Sequence, residues 1–181
     1  MIALKFFYLH FFFLTFLPSN TPEVAKKVSS CEFENMYMVS HELYRSEQPS
    51  RKGFEVIDSL RIETVLSLRN RVSDKSKAKR SGTTLKRVRI NSWKMSHNDI
   101  VESLRVIRDS EKPALVHCLH GSDRTGAVVA AYRMVFQEWS KEDAIQEFLS
   151  AQYGYHQKWF PNILILLKEL DIERLKGELN K

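Results

Sequence analysis

"VHCLHGSDRTG", residues Val116 to Gly126, decides the reading of this 181-residue chain. It sets Cys118 six positions before Arg124, with Gly121 between them and with His117 and His120 beside the cysteine. Ahead of it stands "ALVH", an apolar strand-like run after Pro113. Behind it stands "AVVAAYRMVFQ", apolar enough to read as a helix inside the core. A strand that feeds a glycine-bearing loop and then a helix turns a row of backbone N–H groups toward one point, where the helix N-terminus adds about half a positive charge. Such a nest binds a tetrahedral oxyanion, and Arg124 adds a bidentate fork. Cys118 stands at the loop entrance, where such a field favours the thiolate form of a cysteine. A thiolate beside bound phosphate is a nucleophile aimed at phosphorus.

Three other readings of the stretch compete. A structural zinc site needs four ligands, and Cys118, His117 and His120 have no second pair. A redox pair needs C-x-x-C, which is absent. An inert buried cysteine accounts for Cys118 but leaves Gly121, Arg124, Thr125 and Gly126 unexplained. Neither a metal nor an organic cofactor is expected.

Outward from the motif, strand-like and helix-like runs alternate. "MYMVSHELYRSEQP" carries one or two short strands. Ser50 caps a helix over "RKGFEVIDSLRI", with Phe54, Ile57 and Leu60 at helical spacing. "TVLSL" and "LKRVRI" read as strands, and Asn98 or Ser96 caps the helix "DIVESLRVIRDS". Ser140 caps "KEDAIQEFLS", with Asp143 at the reciprocal capping position. "QYGYH" interrupts, and "PNILILLKELDIERL" reads as one last amphipathic helix. The class is therefore α/β, with a mainly parallel central sheet flanked by helices.

The N-terminal run from Phe6 to Leu17 is short for a membrane span, which needs about 20 residues. It suits a secretory signal over residues 1–20, with an uncleaved anchor as the alternative, so the protein is expected to be exported or membrane-anchored. Residues 21–35 read as a leader, 36–176 as one domain and 177–181 as a tail. Two cysteines, Cys31 and Cys118, are too few for a disulfide scaffold. The net charge of +6 favours anionic partners. Much of it lies between Arg69 and Arg89, which hold nine Lys or Arg against one acid, Asp74. Either this run is a solvated loop, flexible from Ser73 to Gly82, or it is a basic rim that meets anionic substrate or membrane phosphates. It lacks interleaved aromatics, so nucleic acid is not an expected partner. Nothing in the sequence sets the oligomeric state.

"HCLHGSDRTG" matches the His-Cys-x5-Arg-Ser/Thr signature of the cysteine-based protein phosphatases, and the chain resembles their bacterial dual-specificity-like group. "LYRSEQP", "VLSLR" and "YGYH" resemble that group's other blocks. The resemblance spans about Tyr37 to Leu170. It implies that Cys118 attacks phosphorus and becomes a phosphocysteine. Backbone amides of Leu119, His120, Gly121, Ser122, Asp123 and Arg124, with the Arg124 guanidinium, would hold the phosphoryl oxygens. Thr125 would hydrogen-bond the Cys118 sulfur and ease its departure, and His117 would order the loop and help keep the thiol ionised.

The general acid is less plain. In most of the superfamily it lies on a loop some 30 residues before the cysteine, a window that here reads "INSWKMSHNDI". Asp99 is the carboxylate in that window, and it also suits the first turn of a helix. Asp123 directly precedes Arg124, as in the "DRT" of myotubularin and Sac-type lipid phosphatases. A carboxyl beside bound phosphate is repelled into its protonated form, which is what an acid needs. Its structural alternative is a partner for Arg124 or for a neighbouring amide. Leaving groups that need no acid are the third option. The expected activity is phosphotyrosine or dual-specificity phosphatase. Phosphoinositide or inositol-phosphate hydrolysis is the alternative, favoured by His120, Asp123 and the basic run. A non-catalytic phosphate-binding module is the reading from another class.

Overall fold

A computed structural model describes residues 23–181; the signal-like run expected over residues 1–20 lies outside the described residues. Six strands form one sheet in the order β1-β2-β3-β6-β4-β5. They are β1 (Lys26–Lys27), β2 (Tyr37–Ser40), β3 (Leu43–Ser46), β4 (Thr64–Ser67), β5 (Thr84–Arg87) and β6 (Ala114–His117). The four strands β3, β6, β4 and β5 run parallel, and β1 and β2 add an antiparallel edge. Every residue of β4 and β6 is buried, as expected of central parallel strands covered on both faces. The edge strand β5 alternates exposed and half-buried residues.

The helices are α1 (Arg51–Ser59), α2 (His97–Asp109), α3 (Asp123–Phe136), α4 (Lys141–Leu149), α5 (Pro161–Glu169) and α6 (Ile172–Leu179). Successive strand residues point to opposite faces, and the two cores follow that alternation. Leu66, Ala114 and Val116 face a large core with α2 through α6, whereas Val65 and Leu115 face a smaller one with Phe54 and Ile57 of α1. The result is a three-layer α/β molecule with a mainly parallel sheet. Helix α3 is buried around most of its circumference, so it runs through the middle of the larger layer. Its one deeply buried cation, Arg133, is matched by Glu147 of α4 at 2.7 and 2.8 Å.

Caps form where the sequence places them. Ser50 accepts from Gly53 N, Ser96 and Asp99 make a reciprocal capping box, and Ser140 accepts from Asp143 N. Three segments differ from expectation. The last helix is two, because the chain breaks at Leu170 and Asp171 and the Asp171 side chain caps α6 by accepting from Arg174 N. Helix α6 also runs on into the expected tail, where Leu179 is buried. The leader is built into the fold: Lys26 pairs with Met38 at the sheet edge, Phe33 is buried, and Ala25 N donates to Glu147. Finally, the stretch Ser73–Gly82 is pinned rather than loose. Asp74 and Ala78 are buried, and the Asp74 carbonyl accepts from the N–H of Lys77 and of Ala78. The cations Lys75, Lys79 and Arg80 stay exposed around these anchors.

Candidate active site

Strand β6 ends at His117, which puts Cys118 at the carboxyl edge of the sheet, where crevices of open α/β sheets bind ligands. Residues 118–122 then cross to the N-terminus of α3. Four donors from outside fix this loop. Leu68 N donates to His117 O at 2.8 Å and Gln48 N to Leu119 O at 3.1 Å. Asn35 Nδ2 donates to His120 O at 2.8 Å, and Arg45 Nη2 to Gly121 O at 2.8 Å. With the carbonyls turned outward, the N–H groups turn inward. No group among the described residues accepts from the backbone N–H of Leu119 through Arg124. The Ser122 side chain makes no capping bond to the first turn of α3, so that end is open to an anion.

Gly121 is what lets the loop lie against β3. Its φ is +72°, and a Cβ there would stand 2.6 Å from Ser46 C and Glu47 N. A side chain cannot be accommodated without moving backbone. Gly126 packs α3 against Phe148 in the same manner, at 2.7 Å.

Cys118 is buried and unpaired, and Cys31 is exposed and unpaired. Arg124 Nη1 is tethered to Leu68 O and Ile90 O at 3.3 and 3.2 Å, while its buried Nε has no partner among the described residues. Thr125 Oγ1 is likewise buried and without a partner among the described residues. The bond from Thr125 to the Cys118 sulfur that the resemblance implies is therefore not made in this structure. Such orphan donors are costly to bury, and both belong to residues of the motif.

Both ring nitrogens of His117 face acceptors. Nδ1 lies 2.9 Å from Cys118 O, and Nε2 lies 3.0 Å from Asp74 Oδ2. The ring is thus held between a backbone carbonyl and a buried carboxylate, directly next to Cys118. Burial pushes the Asp74 carboxyl up, but the hydrogen bond and charge of His117 outweigh it, with Gln48 adding a donor, and hold it at about 2. Gln48 links onward, donating to Asp74 Oδ1 at 2.7 Å and accepting from the Arg69 guanidinium. Burial lowers Arg69 from the usual arginine range and the neighbouring charge of Arg124 lowers it further, opposed by Asp74 and Cys118. The Arg69 and Arg124 guanidinium groups thus lie near enough for their charges to repel. Arg45 is also buried and lowered by burial, and it lies over the Tyr153 ring at 4.0 Å.

The two carboxylates considered as acids have different surroundings. Asp99 serves the capping box, with Oδ2 accepting from Ser96 N and Oγ at 2.8 Å each. Asp123 is buried in the first turn of α3 and is engaged by His156. Its Oδ1 accepts from His156 N at 2.9 Å, and His156 Nδ1 lies 3.1 Å from both carboxylate oxygens. It therefore partners a neighbouring amide rather than standing free. His120 packs edge-on against His156, the ring centres 5.2 Å apart. Both rings, with Leu119 and Ser122, line a cleft of about 420 Å³ beside the loop. Among the described residues no cluster of three or more metal-ligating side chains exists.

Asp74, Gln48, Arg45 and His156 are the residues that sequence reasoning missed here. A lone acid inside a cationic run is the signal that points to Asp74, and "YGYH" contains His156. Nothing local marks Gln48 or Arg45.

The tyrosine phosphatase family model matches residues 31–160. The dual specificity protein phosphatase TpbA of Pseudomonas aeruginosa is 30% identical over 124 residues, 66% of this chain and 56% of TpbA. The chain thus spans little more than half the length of that relative. The inositol diphosphatase DSP5 of Arabidopsis thaliana is 28% identical over 153 residues, 78% of this chain and 72% of that protein. The crystal structure of a TpbA variant in complex with phosphotyrosine superposes with a TM-score of 0.79 at 24% identity, covering 90% of this chain and 99% of that one. The core catalytic domain of the PP-IP phosphatase SIW14 of S. cerevisiae gives a TM-score of 0.70 at 22% identity, covering 84% and 96%. These likenesses show a shared fold. The family match takes in β2 through the segment before α5, with the whole 118–126 stretch inside it, and the chain belongs to the tyrosine phosphatase family.

Proposed function

We propose that the protein hydrolyses phosphoric monoesters through a phosphocysteine intermediate, with phosphotyrosine and other phosphoprotein side chains as substrates. One observation carries this reading: among the described residues no group accepts from the N–H groups of residues 119–124, which follow the buried Cys118 in a stretch bounded by His117 and Arg124. In the first step the Cys118 sulfur attacks phosphorus and the bond to the leaving oxygen breaks. The inward N–H groups and Arg124 hold the three remaining oxygens, whose charge must be stabilised as the group transfers. In the second step water attacks phosphorus, the S–P bond breaks and phosphate leaves. Rotation of the Thr125 hydroxyl toward the sulfur would stabilise the departing thiolate. No metal or organic cofactor enters these steps.

A second reading has its own support. The guanidinium groups of Arg69 and Arg124, near enough for their charges to repel, offer more positive charge than one phosphate requires, which suits an inositol phosphate. The exposed Lys75, Lys79 and Arg80 would extend that attraction to a phospholipid surface. The relative with the longer reach along this chain is an inositol diphosphatase.

Phosphate release from phosphotyrosine peptides, phosphoinositides and inositol phosphates tests both readings. Turnover of the peptides is expected to dominate. Cys118→Ser should abolish turnover while oxyanion binding persists, and retained turnover in that variant would remove Cys118 as the nucleophile. Binding without turnover in the parent protein would leave a non-catalytic phosphate-binding module.

A further inference from the structure

We propose that His156 delivers the proton to the leaving oxygen, with Asp123 as the residue that positions it. The proposal rests on the phosphatase reading of the same crevice. Asp123 has the location an acid needs but not the freedom. Its side chain is 7% exposed, and both of its oxygens are taken up by His156. His156 has the opposite character. Its side chain is 41% exposed, and it opens onto the cleft whose wall includes Leu119, His120 and Ser122 of the cradle.

The carboxylate fixes which ring nitrogen does what. Nδ1 faces an anion and therefore carries a proton, so the ring is turned to present Nε2 on its other side. No group among the described residues bonds Nε2. The backbone bond from His156 N to Asp123 Oδ1 at 2.9 Å ties the loop as well as the ring to α3. Gly154, at φ +69°, makes the turn ahead of His156, whose ring packs against His120. The titratable groups around the ring are Asp123 from α3, His120 from the cradle, Glu34 and Glu47 across the cleft, and Tyr153, Tyr155 and Lys158 on its own side of the cleft. Glu47 is already committed, because it accepts from the N–H of Glu34 and of Asn35. Asp123 is the carboxylate in contact with His156, and it fixes the ring's orientation toward the cleft.

The proton balance closes over one cycle. As the Cys118 sulfur bonds phosphorus and the P–O bond breaks, Nε2–H gives its proton to the leaving oxygen, and His156 is left neutral with Nδ1–H still on Asp123. When water attacks the phosphocysteine, Nε2 takes the water's proton, the S–P bond breaks, and both the thiolate and the cationic ring are restored.

The test compares an alkyl phosphate, whose leaving group needs a proton, with an activated aryl phosphate that does not. His156→Gln should slow the alkyl ester roughly 100-fold more than the aryl ester, the lower end of what a placed acid supplies. His156→Gly should regain alkyl turnover when imidazole is added. Asp123→Asn keeps an acceptor for His156 N and removes the charge, so it should show a smaller differential in the same direction. Equal slowing of the two esters by His156→Gln, or the full differential appearing in Asp123→Asn alone, overturns the assignment to His156. Wild-type turnover that Cys118→Ser abolishes shows, independently, that the phosphatase reading stands. Absence of wild-type turnover on either ester overturns both.

Discussion

Replacing Asp74 with Asn removes the charge that faces His117 Nε2 while preserving side-chain volume. Both side chains are almost fully buried, at 0% and 3% exposure, and the contact is 3.0 Å. The folded protein holds the Asp74 carboxyl at about 2. Against an unfolded value of about 3.9, that depression is worth roughly 2–3 kcal/mol of stability at neutral pH. Removing one partner of a buried charged contact costs about 3–5 kcal/mol at most. The expected loss is therefore about 3 kcal/mol, or a melting temperature lower by roughly 6–12 °C for a domain of this size. The pH dependence has a definite sign. A carboxyl whose pKa is depressed on folding stabilises the protein above its unfolded pKa, and that contribution is lost as pH falls through the folded value. The difference between the parent and Asp74→Asn should therefore be full above about pH 5 and shrink steadily as pH falls from about 4 toward 2. Urea unfolding midpoints across that range measure it. Matching midpoints at pH 7, or a difference that does not narrow in acid, would refute the reasoning.

Two further changes probe other parts of the same frame. Gly121→Ala places a Cβ 2.6 Å from the backbone of Ser46 and Glu47 and must push the cradle off β3; misplacing reacting groups by about 1 Å costs roughly 100-fold, so kcat on an aryl phosphate should fall at least that far. A variant with parental kcat would show that the loop is not fixed by β3. Glu147→Gln unpairs the buried Arg133 guanidinium and should destabilise the protein by about 3–5 kcal/mol in urea unfolding. A change below about 1 kcal/mol would mean that Val39 O and Gln137, which also accept from Arg133, suffice to satisfy it.

The features legible in the sequence are those whose cause is local. Ser96 and Asp99, or Ser140 and Asp143, lie three residues apart and find each other within one turn. The strand, the glycine-bearing loop and the core helix are contiguous, so the cradle can be read straight from "ALVHCLHGSDRTG". What escapes is set by partners far along the chain. Asp74 meets His117 from 43 residues away, and nothing nearby distinguishes a pinned carboxylate from a solvated one. His156 meets Asp123 from 33 residues away, so the partner of that carboxylate cannot be read from the residues around it. The break between α5 and α6 is invisible for a different reason. The apolar spacing continues across Leu170, and only the cap formed by Asp171 marks a new start.

The four outside donors that fix the loop reach it from Asn35, Arg45, Gln48 and Leu68, and none of them is near it in sequence. Contacts that close long stretches of chain carry an entropic toll and tend to form late in folding. Helix α3 and its neighbours need none of these donors to become helical. A partly assembled chain therefore carries Cys118 without the ordered loop around it. Recovery of turnover during refolding should trail recovery of helical signal, which makes enzymatic activity a reporter of the last long-range closures and keeps an immature chain chemically quiet.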